Sequence, residues 1–386
     1  MKSSKPQNVK PAAEKRLKYA MLGGGKGSFI GPIHRMAIRM DDLADLVDGC
    51  YSHTDDWRDL IERCKGKIDF LAVCTPNSSH YEITKAALEA GMDVLCEKPL
   101  SMTLDEATEL ERLARRKRRV LGIPFTYSGF PMVKLARDLV KRGELGKIDK
   151  VVLEYSQGSF RKIDFSKPLD KRNAWKMDPK KAGPSCVVAD IGVHGFHLIE
   201  HVTGLEVKEV LADLSSFAPG NRLDDDASML LRLGAPAGVR SASLTRSGAR
   251  SKSSQPKAMF TVSKVATGEE NGVRLRVYGD KASLYWNQEE NNYLSVKYPF
   301  APERIYKRNA PYIGELSAAS KALSRIPAGH HEGFIEGFAN IYREFCAAVR
   351  DRKPHDFPGA HEGVRTMRFV EAALRSNKNG NRWEKV

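Results

Sequence analysis

The sequence predicts an α/β fold in which a doubly wound parallel sheet is followed by an α+β domain with a large, mostly antiparallel sheet. Over residues 18–125, short apolar runs alternate with helical patterns, and a glycine cluster follows the first run. After about residue 145, strand-like runs separated by Gly, Asp and Asn turns dominate instead. Strand–helix alternation is typical of a parallel sheet covered on both faces, whereas turn-linked strands form mixed or antiparallel sheets.

In the first part, five apolar runs predict strands and the amphipathic stretches between them predict helices. The predicted strands are Lys18–Leu22, Leu46–Tyr51, Phe70–Cys74, Val94–Cys96 and Val120–Pro124. The predicted helices are Ile30–Met40, Asp55–Arg63, Tyr81–Ala90 and Thr103–Arg116. Gly91 is placed to end the third helix, and the residues around Thr103 are typical of a helix start.

The second part is predicted from the same two kinds of pattern. The predicted strands are Ile148–Phe160, Ser228–Leu233, Val239–Thr245, Val273–Tyr278, Ala282–Trp286 and Leu294–Tyr298. The predicted helices are Cys186–Thr203, Ile313–Leu323, Glu332–Arg350 and His361–Ser376. These elements divide the chain into a basic tail (1–16), a dinucleotide-binding domain (17–145), a substrate domain (146–360) and a C-terminal helix and tail (361–386).

Composition limits the kind of protein. A chain of 386 residues allows two or three domains, and a hydrophobic content of 41% excludes disorder of the whole chain. No stretch approaches the roughly 20 apolar residues of a membrane helix, and the first 16 residues lack the apolar segment of a secretory signal. The six cysteines are scattered. We therefore expect reduced thiols in a cytoplasmic protein without a membrane partner.

The basic excess does not indicate a nucleic-acid partner. The net charge is +15, from 63 basic and 48 acidic residues. Part of it lies in the N-terminal tail and part in Arg115–Arg119, where bases that follow acids fit the last turn of a solvated helix. No aromatic residues are interleaved with these bases. An anionic substrate or a cofactor phosphate would be attracted by the same charge.

The glycine cluster after the first strand predicts a dinucleotide site. A strand, a glycine-rich turn and a helix together hold a pyrophosphate on the helix N–H groups. Gly25 and Gly27 are followed by three residues before Gly31, one more than in the usual spacing, so a simple tight turn remains the alternative. The acid expected at the end of the second strand is not clear, because Asp48 precedes that end. NAD and NADP therefore both stay open.

Three ordered motifs carry a resemblance to a known family. Thr75-Pro76-Asn77 follows one strand, Glu97-Lys98-Pro99 follows the next, and Asp190-Ile191-Gly192-Val193-His194 lies downstream, after Trp175-Lys176-Met177. This series resembles the glucose–fructose oxidoreductase / inositol dehydrogenase / rhizopine-catabolism (Gfo/Idh/MocA) family, from about residue 18 to residue 375. The resemblance implies a Rossmann-type first domain, an open-faced second sheet that is buried in a homodimer or homotetramer, and an NAD(P)-dependent dehydrogenase acting on a sugar or cyclitol.

The resemblance also implies roles for individual residues. Lys98 is expected to contact the reacting hydroxyl and the nicotinamide ribose, with a cis bond to Pro99; His194 is expected to be the general base and Asp190 its companion. The expected cofactor-binding residues are Gly23, Gly25, Lys26, Gly27, Ser28, Phe29, Ile30, Ser52, Thr75, Pro76, Asn77, His80, Glu97 and Lys98. The expected substrate-binding residues are Tyr127, Trp175, Lys176, Asp190 and His194.

The chemistry of these residues agrees with that reading. Alcohol oxidation needs a base for the hydroxyl proton, and a histidine with an ordinary pKa of about 6.5 suits that task. An ammonium near the same oxygen favours the developing alkoxide. Asp190 and His194 are four residues apart, so a helix would place both on the face that meets Lys98 across the cleft between the domains.

The same helix offers a metal alternative. Asp190, His194, His197 and His201 form one stripe whose spacing is compatible with a metal ion, which would indicate a metal-dependent lyase or isomerase. No second carboxylate or cysteine cluster accompanies the stripe. The resemblance accounts for Asp190 and His194 without a metal, so we predict none and expect the other two histidines to pack.

The chain departs from the family between its second and third strands. Only 17 residues separate Cys50 from Ile68, where relatives place a further strand and helix. We therefore expect the edge strand that walls the adenine to be missing or reduced. This departure leaves two alternatives open: a non-catalytic nucleotide- or sugar-binding regulator, and an NAD-dependent glycosidase or epimerase on the same scaffold.

Overall fold

A computed structural model of the chain describes residues 16–51, 56–169, 174–236 and 255–386. Its first sheet has five strands in the order β2-β1-β3-β4-β5, and every neighbouring pair is parallel. These strands are β1 (Leu17–Gly23), β2 (Ala44–Cys50), β3 (Phe70–Cys74), β4 (Asp93–Cys96) and β5 (Leu121–Gly122). The predicted doubly wound parallel sheet is confirmed.

Helices cover both faces of this sheet because its strands are apolar on both sides. The helices of the first part are α1 (Ile30–Met40), α2 (Trp57–Cys64), α3 (His80–Glu89) and α4 (Leu104–Lys117). Along β1, Tyr19 and Met21 pack in one core cluster with α1, whereas Ala20 and Leu22 pack in the other with α2, α3 and α4. Thr103 begins α4 with a reciprocal capping box, as its sequence predicts.

In the part of the chain that the structure describes, β2 is the outer strand of the first sheet, as the short segment after Cys50 led us to expect. There β2 pairs with β1, and the chain then enters α2 and returns as β3 next to β1. This arrangement follows from the short segment after Cys50, which has room for one helix. The beginning of the predicted helix at Asp55 lies outside the described residues.

The second sheet has nine strands in the order β13-β12-β11-β10-β6-β9-β8-β7-β14. Its strands are β6 (Ile148–Ser156), β7 (Glu206–Ser215), β8 (Asp226–Gly234), β9 (Lys257–Ser263), β10 (Gly272–Gly279), β11 (Ser283–Asn287), β12 (Tyr293–Tyr298), β13 (Ala301–Lys307) and β14 (Glu384–Lys385). The pair β6–β9 is parallel and the other pairs are antiparallel. The predicted mostly antiparallel sheet is confirmed.

The remaining helices flank this sheet or connect it to the first one. They are α5 (Pro131–Lys141), α6 (Pro179–Ala182), α7 (Val193–Thr203), α8 (Ile313–Leu316), α9 (Ala318–Ala322), α10 (Phe334–Asp351) and α11 (Ala360–Lys378). The sequence predicted one helix over Ile313–Leu323, but the backbone of Ser317 is extended, and its side chain caps α9. No helix in the described segments is long and apolar enough to cross a membrane.

Several elements escaped the sequence analysis. The pattern of β7 mixes charged and apolar residues, and β13 is largely exposed, so neither forms an apolar run. Two more elements were not predicted: helix α5, which begins at Pro131, and strand β9, which follows a basic stretch. The predicted strand Val239–Thr245 lies outside the described residues.

Helix α10 connects the end of the chain to the first sheet. Phe338, Tyr342 and Phe345 pack in the same core cluster as Tyr19 and Phe70. The predicted division assigns this helix to the substrate domain (146–360), although its aromatic face covers the first sheet. The domain limits therefore stay a prediction, and the packing shows that the late part of the chain stabilises the nucleotide-binding half.

Candidate active site

The candidate site lies where the first sheet ends and the second half of the chain begins. The loops after β1, β3 and β4 carry the glycine cluster, Thr75–Asn77 and Glu97–Pro99. Because parallel strands have their carboxyl ends at one edge, these loops lie side by side. The segment that carries Asp190 and His194 faces them from the second half.

The glycine loop makes a close approach to α1 despite its extra residue. Gly23 has φ +78°, in the left-handed region that favours glycine. A Cβ on Gly31 would lie 2.3 Å from Cα of Gly24, so the first turn of α1 packs directly on the loop. This is the close approach that the third glycine of a dinucleotide-binding loop provides, and the departure in spacing does not prevent it.

The start of α1 suits an anionic group. Its first turn has no acidic residue, and Lys26, Gly27 and Phe29 are exposed beside it. Ser28 donates its N–H to the carbonyl of Gly25 (3.0 Å), and its hydroxyl accepts from Gly31 N–H (3.2 Å). A helix N-terminus with free N–H groups attracts phosphate, so the loop through Ile30 fits the pyrophosphate of a dinucleotide. Ser52, also expected to bind the cofactor, lies outside the described residues.

The loop after β3 is fixed from two sides. Asn77 donates its side-chain amide to the carbonyl of Ala182 (2.9 Å), which joins the two halves of the chain beside Pro76. Ser79 donates its hydroxyl to that of Thr75 (2.8 Å). Thr75, Pro76 and Asn77 are thereby held at the mouth of the cleft, where the resemblance predicts cofactor contacts.

His80 lies beneath these loops. Its side chain is buried, with Nδ1 2.7 Å from the carbonyl oxygen of Pro99 and Nε2 2.8 Å from that of Thr75. Burial alone would lower its pKa, but Cys96 and the two carbonyls outweigh burial and raise the pKa to about 9. The geometry makes His80 a support that links two loops, and its expected contact with the cofactor stays a prediction.

Glu97 begins a buried chain of side chains. Its Oε1 lies 2.9 Å from His34 Nε2, and His34 Nδ1 lies 2.5 Å from the Tyr342 hydroxyl. Its Oε2 accepts the backbone N–H of Lys98 (3.1 Å). This chain connects α1, the loop after β4 and α10. The sequence analysis found neither His34 nor Tyr342, because nothing in their local pattern separates them from ordinary core residues.

Lys98 meets Asp190 across the cleft. The expected cis bond between Lys98 and Pro99 is present. Lys98 Nζ donates to Oδ1 of Asp190 (2.6 Å) and to its backbone carbonyl (2.7 Å). The two motifs of the resemblance, 92 residues apart in sequence, therefore come together in one ion pair.

A second lysine, which the sequence analysis missed, occupies the other carboxylate oxygen. Lys264 Nζ lies 2.5 Å from Oδ2 of Asp190, and its side chain is 2% exposed. Burial alone would raise the pKa of Asp190, but Lys264, Lys98 and Lys176 outweigh it and hold that pKa well below its usual range. A single lysine at the end of a strand carries no sequence pattern that would have indicated this role.

The backbone around Asp190 is wider than an α-helix. The sequence predicted one helix over Cys186–Thr203, but residues Val188–Gly192 form a π-helical turn that leads into α7. Asp224 anchors the start by accepting the N–H groups of Cys186 (2.8 Å) and Val188 (3.1 Å). Such turns are frequent at functional sites, and this one brings both the side chain and the carbonyl of Asp190 to Lys98.

His194 has a buried nitrogen without a partner. Within the described residues, its Nδ1 makes no hydrogen bond. The ring contacts Phe125 and Tyr127 edge-on, with centroids 5.8 and 5.3 Å away. Burial and the nearby Lys98 hold the pKa of His194 well below its usual range. A buried polar atom left unpaired in a folded protein calls for an explanation.

A small, open cleft with a cavity volume of about 20 Å³ lies beside Asp190. Its lining residues are Asn77, Trp175, Lys176, Ala182, Ser185, Cys186 and Asp190. Trp175 and Lys176 line this cleft, and their expected contact with the substrate stays a prediction. The attraction of Asp190 favours the charged form of Lys176, but burial together with Lys264 and Lys98 outweighs it and lowers its pKa.

Tyr127 lies behind the cleft instead of lining it. Its hydroxyl donates to that of Tyr155 (2.7 Å) and accepts from the amide of Asn271 (3.2 Å). Burial raises the pKa of Tyr127 to about 12. Its ring supports His194, so its expected role as a substrate contact does not follow from its position.

The metal alternative finds no support in the geometry of the other two histidines. The His197 ring stacks on Phe125 at 4.6 Å and on His201 at 5.5 Å. Burial and Lys134 lower the pKa of His197 to about 3. Across the segments that the structure describes, no three His, Cys, Asp or Glu side chains are grouped to hold a metal ion.

Comparisons with known proteins agree with this architecture. Residues 29–125 match the model of an oxidoreductase family with an NAD-binding Rossmann fold, and residues 133–285 match the GFO/IDH/MocA C-terminal domain. The uncharacterized oxidoreductase YfiI of Bacillus subtilis is 31% identical over 96% of both chains. Levoglucosan dehydrogenase of Pseudarthrobacter phenanthrenivorans is 28% identical over 72% of this chain and 70% of that one.

A solved structure shows the same fold over almost the whole length. An inositol dehydrogenase homolog from Azotobacter vinelandii, complexed with NAD⁺, has a TM-score of 0.85 and 30% identity, covering 97% of this chain and 98% of that chain. The resemblance seen in the three motifs thus extends through both sheets. The chain belongs to the Gfo/Idh/MocA oxidoreductase family, and its first domain has the family's NAD-binding Rossmann fold.

Proposed function

We propose that this chain is an NAD(P)-dependent dehydrogenase that moves a hydride between a hydroxyl-bearing carbon of a sugar or cyclitol and the nicotinamide of its cofactor. The observation that carries the proposal is the contact of Lys98 with Asp190 across the cleft (2.6 Å), near His194, whose Nδ1 has no hydrogen-bond partner among the described residues. The named relatives support the substrate class: one is a levoglucosan dehydrogenase, and the inositol dehydrogenase homolog is also known with NADH and myo-inositol.

Each residue has one task in this reaction. A nicotinamide held by the first domain would supply the hydride acceptor, and the chain's own residues handle the proton and the charge on the oxygen. His194 would accept the hydroxyl proton. Burial and Lys98 hold its pKa below its usual range, which keeps the imidazole neutral but makes it a weaker base than an ordinary histidine. The Lys98 ammonium stabilises the negative charge that develops on the same oxygen. Asp190, which stays ionised, holds Lys98 in position.

The cleft lining supports a hydroxylated ring as the substrate. Asn77 offers a hydrogen-bonding amide, Trp175 offers an aromatic face, and Lys176 adds a cation next to that face, 5.9 Å from the ring centroid. A few polar groups around an aromatic wall orient a small polar ligand in this way. The sugar, the hydroxyl and the cofactor phosphate state are the variables that the experiment has to resolve.

The test is a dehydrogenase assay over a panel of sugars and inositols with both cofactors. We expect NADH or NADPH to accumulate with at least one substrate. Lys98→Ala and His194→Ala should each lower kcat by roughly 10²- to 10³-fold, the usual effect of removing a group that stabilises charge or moves a proton. Both variants should remain folded. Their free energy of unfolding should fall below that of the wild type by no more than the contribution of one polar contact.

Matched controls separate the site from general effects. Lys141→Ala and His361→Ala change exposed residues of the same types, so wild-type kcat is expected. Near-normal turnover in both site variants would refute the mechanism. Tightly retained nucleotide without net NADH accumulation would instead favour an epimerase or glycosidase that regenerates its cofactor.

One observation favours a second candidate, a non-catalytic nucleotide- or sugar-binding relative. In the described residues, β2 forms the edge of the first sheet, so the wall beside the adenine lacks a strand. Fluorescence titration with NADH and NADPH distinguishes the two functions. Saturable binding accompanied by turnover favours the dehydrogenase, whereas binding with no turnover on the panel favours the second candidate.

We also propose that the open face of the second sheet is buried in a homodimer or homotetramer. Large apolar side chains are exposed on this sheet, among them Leu230, Met259 and Ile305. An exposed apolar face of this kind marks an interaction surface. Light scattering at micromolar concentration tests the proposal, and a monomer would contradict it.

A further inference from the structure

We propose that Lys264 is a positioning residue of this site: by holding one oxygen of Asp190, it leaves the other oxygen for Lys98 and keeps the cluster positively charged toward the reacting hydroxyl. The inference rests on the proposed dehydrogenase function. The family motifs that led to Lys98, Asp190 and His194 do not include Lys264.

The carboxylate of Asp190 lies between two ammonium groups. Oδ2 receives Lys264 (2.5 Å), and Oδ1 receives Lys98 (2.6 Å). The side chain of Lys264 is 2% exposed and that of Lys98 is 15% exposed. Of the two, Lys264 is therefore the more deeply buried partner, and Lys98 is the more exposed one.

The position of Lys264 is itself well determined. Its backbone N–H donates to the carbonyl of Asp225 (2.8 Å), and its carbonyl accepts the N–H of Phe160 (2.9 Å). Its ammonium lies 3.7 Å from the sulfur of Cys186 and 4.8 Å from the centroid of the Phe160 ring. An ammonium held on so many sides fixes the carboxylate rotamer, and with it the direction from which Lys98 approaches.

The charges show what Lys264 adds beyond geometry. In the part of the chain that the structure describes, Asp190 is the single carboxylate within ion-pair distance of Lys98 and of Lys264. One negative charge is thus shared by two positive ones, and the trio carries a net positive charge. The surplus favours an alkoxide at the neighbouring hydroxyl. Without Lys264, Asp190 would neutralise Lys98 alone.

Other titratable groups face this cluster from several elements. Lys176 and Cys186 line the cleft, Asp224 caps the start of the π-helical turn, and His194 begins α7. Removing the Lys264 charge raises the proton affinity of each neighbouring base. The acid limb of kcat/KM, which reports the base His194, is therefore expected to move to higher pH.

The experiment compares Lys264→Met with Lys134→Met. Lys134 is an equally buried lysine that pairs with an aspartate outside the site, with Nζ 2.9 Å from Oδ1 of Asp356. Lys264→Met should lower kcat up to about 10²-fold, as a small misplacement of a reacting group does, with a smaller change in KM. Its acid limb should shift upward, and Lys264→Arg should restore that limb. Lys134→Met should lose stability and keep the wild-type pH profile.

Two results would overturn the inference. One is an unchanged pH profile in Lys264→Met; the other is the same shift in Lys134→Met, which would indicate a general effect of removing a buried cation. If the wild-type protein turns over no substrate of the panel, the result counts against the proposed function. The role of Lys264 is then tested by a second measurement.

That second measurement is a double-mutant cycle on the free energy of unfolding, which needs no turnover. Lys264→Met and Asp190→Asn should be strongly non-additive, because either change removes the same interaction. Additive effects would show that Lys264 does not hold Asp190 and would refute the inference. The cycle also covers the case in which Lys264→Arg folds poorly.

Discussion

Two chains of polar side chains flank the proposed site, and they differ in whether all their polar groups have hydrogen-bond partners. On the side of the first sheet, Glu97 contacts His34 and His34 contacts Tyr342, so each has a partner. On the other side, Lys98 and Lys264 share Asp190, and within the described residues His194 keeps an unpartnered nitrogen. From this difference we infer that the first chain holds the loops in place and that, under the proposed function, a ligand would complete the second.

Of the variants that test this comparison, Asp190→Ala should have the largest effect on kcat and on the free energy of unfolding. It leaves two neighbouring ammonium groups without their carboxylate, so we expect a loss of roughly 10²- to 10³-fold in kcat and of about 3 kcal/mol in the free energy of unfolding. Steady-state kinetics and urea unfolding measure the two quantities.

Asp356→Ala is the matched control. Asp356 is similarly exposed, 37% against 32% for Asp190, and it also pairs with two cations, Lys134 and Arg137. Its removal should cost a similar free energy of unfolding and leave kcat unchanged. If both variants lost kcat alike, the cluster around Asp190 would have no special place in the chemistry.

The histidines of the two regions should respond to pH with opposite signs. His80, in the first region, has a pKa raised to about 9, so its contribution to stability is present below its ordinary pKa of 6.5 and is lost as pH rises toward 9. His197, in the second, has a pKa lowered to about 3, so its contribution is present above 6.5 and is lost as pH falls.

Urea unfolding across this pH range checks the signs. The stability gap between wild type and His80→Gln should narrow on going from pH 6.5 to pH 9, by on the order of 2 kcal/mol. The difference in free energy of unfolding between wild type and His197→Phe should decrease as the pH falls below 6.5. A gap that stays constant with pH would show that the histidine titrates as it does in the unfolded chain.

The two regions also differ in how far their sequence predicts them. The strands of the first sheet are short apolar runs that end in glycines or polar loops, so their pattern alone predicts the order of elements. Lys98, Asp190 and His194 were found through motifs whose residues are close in sequence. Their meeting across the cleft was expected from the resemblance and is visible in the contact of Lys98 with Asp190.

What the sequence did not predict depends on tertiary packing. Lys264 looks like any lysine at a strand end, and it acquires its place because β9 runs parallel to β6 and ends beside Asp190. Tyr127 was expected to face the substrate, but Tyr155 and Asn271 take its hydroxyl. In both cases the partner is distant in sequence, so no local pattern indicates whether the polar atom is free.

Tyr342→Phe is expected to have the smallest effect, and it tests the satisfied chain. Deleting one hydroxyl leaves the buried His34 Nδ1 without the partner that lies 2.5 Å away. Such a loss costs about 1–3 kcal/mol in the free energy of unfolding. Since Glu97 still contacts His34 and accepts the N–H of Lys98, kcat should stay close to wild type.

Tyr278→Phe, which removes an exposed hydroxyl on β10, provides the control and should change neither quantity. If Tyr342→Phe were no less stable than Tyr278→Phe, the chain from Glu97 would not be held together by its hydrogen bonds. If Tyr342→Phe instead lowered kcat as strongly as Asp190→Ala, the first chain would take part in the reaction. If the chain from Glu97 only supports the loops and the cluster around Asp190 takes part in the reaction, Tyr342→Phe must lower the free energy of unfolding and leave kcat unchanged.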